Sequence, residues 1–214
     1  MKAITSLLAG LAMTLAASAA QAEVIYTDKT YRDFDAWLGY VSFNVTTHGL
    51  IDDLNIAVEF SKCDNPYIDP EGSACIGRET PFENEIVMRL VGPDGRVLSL
   101  IERDTFDEGD TPGIGRIVMT FTDEGAKLGK RVAAGAFRPL EALSAFDGMD
   151  MFGQWKLYFE DTTGSDPLEV FSSSLIFNSV EPPPVDVPEP ASLAIVGSGL
   201  FALGALRRRQ RRQA

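Results

Sequence analysis

EIVMRLVGPDGRVLSLIE, residues 85–102, decides the fold. Two apolar runs flank Gly92-Pro93-Asp94-Gly95. Proline presets φ at a turn's first corner, aspartate hydrogen-bonds its own backbone, and glycine accepts positive φ, so the stretch reads as a β-hairpin. Short runs of the same character recur at 40–45, 54–60, 116–121, 154–160 and 172–178, separated by turn signals such as Thr163-Gly164-Ser165-Asp166. In WKLYFED, Trp155, Leu157 and Phe159 alternate with Lys156, Tyr158 and Glu160, the period of a strand with one buried face. Helical periodicity is confined to a short stretch at 140–146. Seven or eight short strands predict an all-β chain, an antiparallel β-sandwich of jelly-roll type.

The two ends read differently. Lys2, an apolar run over 4–17 and Ala20-Gln21-Ala22 have the order of a secretory signal peptide, cleaved after Ala22. At the other end, 191–206 carries no charge. As a helix it would be about 24 Å long against a bilayer core of about 30 Å, a short span. Arg207, Arg208, Arg209, Arg211 and Arg212 follow it. By the positive-inside rule they are a cytoplasmic stop, so a separate C-terminal transmembrane helix is expected with the body on the far side of the membrane. Residues 180–188 hold four prolines and two acids, an extended spacer. The expected organisation is therefore signal peptide 1–22, β-sandwich 23–179, spacer 180–190, transmembrane helix 191–206 and Arg-rich tail 207–214.

Val187-Pro188-Glu189-Pro190, the short Gly- and Ala-rich apolar segment and the arginine cluster together resemble a PEP-CTERM sorting signal. That resemblance implies an exported protein of a Gram-negative bacterium, recognised near the Pro-Glu-Pro by exosortase, a membrane transpeptidase-like protease. It names a route and no activity.

Lys2 and the five tail arginines are six of the 19 basic residues, and neither end contains an acid. The body keeps 13 basic residues against 31 acidic ones, a net charge of −18. Such a charge excludes nucleic acid and anionic lipid as partners and favours divalent cations. Cys63 and Cys75 are the only cysteines. In an exported chain they are expected to pair, closing a loop of 13 residues, because two cysteines without a nearby histidine make poor zinc chemistry.

The order of segments over about residues 49–177 resembles the P domain (P/Homo B domain) of subtilisin-like proprotein convertases. The resemblance is carried by Gly92-Pro93-Asp94-Gly95, Phe121-Thr122-Asp123-Glu124, Arg138-Pro139, Leu143 to Gly148 and Gly153-Gln154-Trp155. It implies a jelly-roll sandwich that supports a protease in the same chain. The cysteine-closed insertion departs from the pattern, as does Asn84-Glu85 where the family has Gly-Asp.

No catalytic residue is assigned. A serine triad would have to use His48, the one histidine, and no Gly-x-Ser-x-Gly elbow occurs. The acidic loops are the candidate site: Asp104, Asp107 and Asp110, then Asp123 and Glu124, then Asp147. Calcium takes six to eight oxygen ligands, so loops converging at one end of a sandwich would suit it, and it is the one cofactor expected. The competing reading is a solvated acidic rim. The function expected is that of a non-catalytic surface or matrix module, binding or structural. Exosortase, exopolysaccharide or surface proteins, and the inner membrane before processing are its expected partners. The alternative is an accessory module of a subtilisin-type proteolytic system. The expected route is export by Sec, an inner-membrane-held intermediate, then the cell surface or extracellular matrix.

Overall fold

The computed structural model describes residues 21–64 and 74–180. The expected signal peptide up to residue 20, the middle of the cysteine loop, Val187 to Pro190, the 191–206 segment and the five arginines lie outside the described residues. Among the described residues, no helix is long and apolar enough to cross a membrane.

Ten strands are described: β1 (Gln21–Asp28), β2 (Arg32–Phe34), β3 (Trp37–Val45), β4 (Leu50–Cys63), β5 (Ile86–Val91), β6 (Val97–Ile101), β7 (Gly113–Lys127), β8 (Gly135–Arg138), β9 (Gly153–Asp161) and β10 (Leu168–Val180). They form two sheets. One has the order β1-β10-β4-β7-β8 with β2 also on β10; the other is β3-β9-β5-β6. All the expected strands are present, most of them longer than the apolar runs that signalled them. The hairpin closes as expected: Gly95 N–H donates to the Gly92 carbonyl at 3.0 Å, and Gly95 sits at φ +84, where a side chain would be strained.

Four expectations are corrected. The six-stranded sheet is not wholly antiparallel, because β8 pairs with β7 in parallel. Gly125 permits this, since a Cβ there would lie 2.5 Å from the Phe137 carbonyl carbon. The helical stretch is only a 3-10 turn over Leu143–Phe146. Glu85 ends a second 3-10 turn, Glu83–Glu85, instead of starting a strand. Val180, expected to open the spacer, is the last residue of β10.

Alternation builds one core between the sheets. Leu54, Ile56, Val58 and Phe60 of β4 point inward, as do Val41, Phe43 and Val45 of β3 and Trp155, Leu157 and Phe159 of β9. Phe177 of β10 and Phe121 of β7 join them. Each such side chain contributes about 1.5–3 kcal/mol by leaving water. Cys63 and Cys75 are bonded, with Cα atoms 5.3 Å apart, at the end of β4.

Candidate functional site

The strand period that points Val41, Phe43 and Val45 inward sends Leu38, Tyr40, Ser42 and Asn44 out of the other side of β3. On β9 the outward set is Gln154, Lys156, Tyr158 and Glu160. Register then sets one row across the four-stranded sheet: Tyr40 opposite Tyr158, Tyr158 opposite Arg89, Arg89 opposite Ser99. The two tyrosine rings are 5.2 Å apart, tilted at 45°. Lys156 Nζ lies 4.9 Å from the centre of the Tyr40 ring. Tyr40 is 49% exposed and Leu38 50%, a large apolar area to leave in water. Along the row, Arg89 forks onto Glu102, Nε to Oε1 at 2.8 Å and Nη2 to Oε2 at 2.6 Å. That bond holds the Glu102 carboxyl below its ordinary range and raises Arg89, burial opposing both. The face thus presents an aromatic pair rimmed by fixed hydrogen-bonding groups. The alternation in WKLYFED was legible in the sequence, but the pairing of Tyr158 with Tyr40 needs the register.

The six acidic candidates do not converge. Gly113 at the start of β7 pairs with Cys63, and Phe121 farther along pairs with Ile56. The loop carrying Asp104, Asp107 and Asp110 therefore meets β7 at one end, and Asp123 and Glu124 sit roughly 30 Å along the same strand. Asp110 is paired to Arg131 at 2.5 Å and Asp107 to Lys130 at 3.5 Å, while Asp104 accepts from Asn84 at 3.4 Å. Asp123 accepts the backbone N–H groups of Leu143 and Ser144 at 2.9 and 2.8 Å. Burial raises its pKa, but these bonds win and its pKa is lowered. Glu124 accepts from Thr122 at 2.7 Å. Asp147 is raised, first by burial and then by the charges of Asp123, Asp53, Asp52 and Glu124. The structure thus adds Asp52 and Asp53, a pair at the start of β4, to one half of the expected set. Among the described residues, no group of three or more His, Cys, Asp or Glu is placed to hold a metal ion.

His48 sits between β3 and β4. Its Nδ1 is 2.7 Å from Asp150 Oδ2, and its ring stacks on Phe152 at 4.2 Å and 9°. The carboxylate and the neighbouring ring orient it.

Residues 186–210 match the PEP-CTERM protein-sorting motif. The motif contains Val187, Pro188, Glu189, Pro190 and Arg207 to Arg209, the residues from which the resemblance was read. It marks an exported protein, recognised by exosortase and sorted to the surface of a Gram-negative cell. No curated protein matches the chain. Among solved structures, the chain is similar to the Aeromonas sobria serine protease crystallised with its chaperone, at 11% identity and a TM-score of 0.37. That match covers 74% of this chain and 28% of the other, so this chain spans under a third of that relative's length. It is also similar to FlhE, at 13% identity and a TM-score of 0.34, over 73% of this chain and 96% of that one. A turnip yellow mosaic virus structure follows at 8% identity and a TM-score of 0.25, over 87% and 94%.

Proposed function

We propose that this is a non-catalytic surface or matrix module that binds polysaccharide on the outer face of its four-stranded sheet. The Tyr40–Tyr158 pair, with Tyr40 exposed and Tyr158 half-buried, set by register beside Lys156, carries the reading. A sugar ring offers an apolar C–H face to an aromatic ring and hydroxyls to the groups around it. Ser42 and Glu160 are the next outward residues beside the rings, and Asn44 and Gln154 lie farther along the same face. Amphipathic tyrosines suit such half-wet contacts. A protein partner would want a broader apolar centre than one aromatic pair. The net charge of −18 favours a neutral polymer over an anionic one.

Jelly-roll winding belongs to the same reading. With β2 and β8 set aside, β1 pairs with β10, β3 with β9, β4 with β7 and β5 with β6. This first-with-last pairing is what results when one long hairpin rolls into two sheets, and it supports that topology. Export by Sec, a transient membrane-spanning 191–206 helix and final release into the matrix complete the proposal. They rest on the sorting motif and on the order of charge and apolar residues.

Binding to the neutral polysaccharide fraction of the producing strain tests it. Tyr40→Ala and Tyr158→Ala should each weaken binding by about 1 kcal/mol, roughly fivefold. Wild-type protein that ignores the fraction, or binds it equally well without both tyrosines, overturns the assignment of this face.

A further inference from the structure

The inward face of β4 continues past Leu54, Ile56, Val58 and Phe60 to Lys62. The inward face of β9 continues past Trp155, Leu157 and Phe159 to Asp161. Two strands of opposite sheets thus each place a charged residue where the alternation calls for an apolar one. Lys62 and Asp161 are both wholly buried, and Asp166, from the β9–β10 loop, is 3% exposed. Lys62 Nζ lies 2.6 Å from Asp161 Oδ2 and 2.8 Å from Asp166 Oδ2, and it also donates to the Asp166 carbonyl. Register sets Leu168 and Ile114 beside Lys62, and Ile86 beside Asp161.

Taking ions out of water costs several kcal/mol each, and one lysine here faces two carboxylates, leaving one negative charge uncompensated. A reaction that removes a charge pair from this site is therefore favoured over one that keeps it. We propose that Lys62 Nζ and Asp161 Cγ are joined by an amide bond, formed by the protein itself with Asp166 as proton carrier, so that the two sheets are cross-linked covalently.

The atoms balance. The Lys62 ammonium gives a proton to the Asp161 carboxylate, leaving a neutral amine beside a neutral acid. The Nζ lone pair attacks Cγ, forming the C–N bond. Asp166 takes a proton from Nζ and passes it to the leaving hydroxyl, the C–O bond breaks and water departs. Asp166 ends as it began, a carboxylate, and no oxidant or reductant is needed. The groups required are in place. Burial pushes the Asp161 carboxyl up to about 6; Lys62 lowers it and the Asp166 charge raises it again, so the acid form is within reach near neutrality. Backbone N–H groups of Leu168 and Thr163 face its Oδ2 and Oδ1 at 3.1 and 3.5 Å, where charge develops in the tetrahedral intermediate. Asp166 is itself held by the Phe82 N–H. Fixing amine and carboxyl in contact supplies the entropy that a bimolecular condensation lacks, and a dry site resists the reverse hydrolysis.

Intact mass and tryptic mapping of the folded protein decide it. The wild-type mass should fall short of the sequence by one water, beyond the two hydrogens of the disulfide. Trypsin should not cut after Lys62, and one branched peptide should carry Lys62 and Asp161. Lys62→Met and Asp166→Ala should have full mass. Asp161→Asn should lose ammonia instead of water and so reach the same final mass as wild type. Should Asp166→Ala fail to fold, the wild-type and Asp161→Asn masses still decide. Folded wild type at full mass, cut by trypsin after Lys62, overturns the proposal.

Discussion

Trp155 on β9 and Phe177 on β10 belong to different sheets and meet edge to face, their centroids 5.3 Å apart at 60°. Trp155 also meets Phe146 at 4.8 Å, and its Nε1 donates to the Met151 carbonyl at 2.8 Å, so its polar tip is satisfied inside the core. Removing it should open a cavity that both sheets line. Trp155→Ala is expected to cost about 3–5 kcal/mol, a large part of the roughly 5–15 kcal/mol by which domains are stable. Denaturant titration would read this as a lower midpoint at unchanged slope. A loss under about 1 kcal/mol would mean that the sheets do not depend on this contact.

The cysteine bridge has its own expected effect. Cys63 ends β4 opposite Gly113, and its bond to Cys75 closes a loop of 13 residues. Loop-closure entropy predicts that Cys63→Ser with Cys75→Ser loses roughly 3 kcal/mol. Thiol titration of the unfolded, unreduced protein should find no free thiol. Two free thiols in exported material would contradict the bridge.

How much of this was legible depended on whether the signal was local. The β5–β6 hairpin was, because Pro93, Asp94 and Gly95 set the turn without help from the rest of the chain. The strands β3, β4, β9 and β10 were too, because alternation is a local property. β8 was missed because four residues joining an edge in parallel carry no alternation of their own. β1 was missed because its first residues, Gln21 and Ala22, read as the end of a signal peptide and Glu23 to Asp28 carry no distinctive turn or alternation signal. Lys62 and Asp161 lie just past the runs at 54–60 and 154–160, so nothing local marked them as inward-facing. Their meeting depends on β9 and β4 lying in facing sheets, which only the long-range pairing supplies. The calcium set failed to converge for the complementary reason: Asp110 and Asp123 are near in sequence but separated by the length of β7.

The tail makes a prediction about processing. Residues 186–210 match the sorting motif, and β10 ends at Val180, with seven residues between it and Pro188 in the sequence. Proline lacks a backbone donor, so the prolines at 182–184, 188 and 190 disfavour helix and sheet pairing there. Protein recovered from the cell surface should lack residues after about Pro190, as mass spectrometry of its C-terminal peptide would show. An intact Arg211 and Arg212 on surface protein, in a strain with active exosortase, would make the tail a permanent anchor.

Asp147 faces four acidic neighbours. Burial and then Asp123, Asp53, Asp52 and Glu124 raise its pKa in the folded state. A carboxyl raised by folding binds more protons folded than unfolded, so its ionisation works against the fold. The penalty is absent below the unfolded value of about 3.9 and grows as pH rises through the folded value. Asp147→Asn should therefore stabilise the protein at pH 7. The gain should stay under about 1 kcal/mol because solvent screens an exposed group, and it should fade in high salt and on acidification below about pH 4. The expected calcium, though no group of three ligands is placed for it among the described residues, would act on the same repulsion. At millimolar concentration it should raise the melting temperature of wild type more than that of Asp147→Asn, which has already lost the charge that calcium would offset. Equal melting in calcium and in chelator, with Asp147→Asn still stabilising, would leave these acids a solvated rim whose repulsion is relieved by protons and salt but by no bound ion.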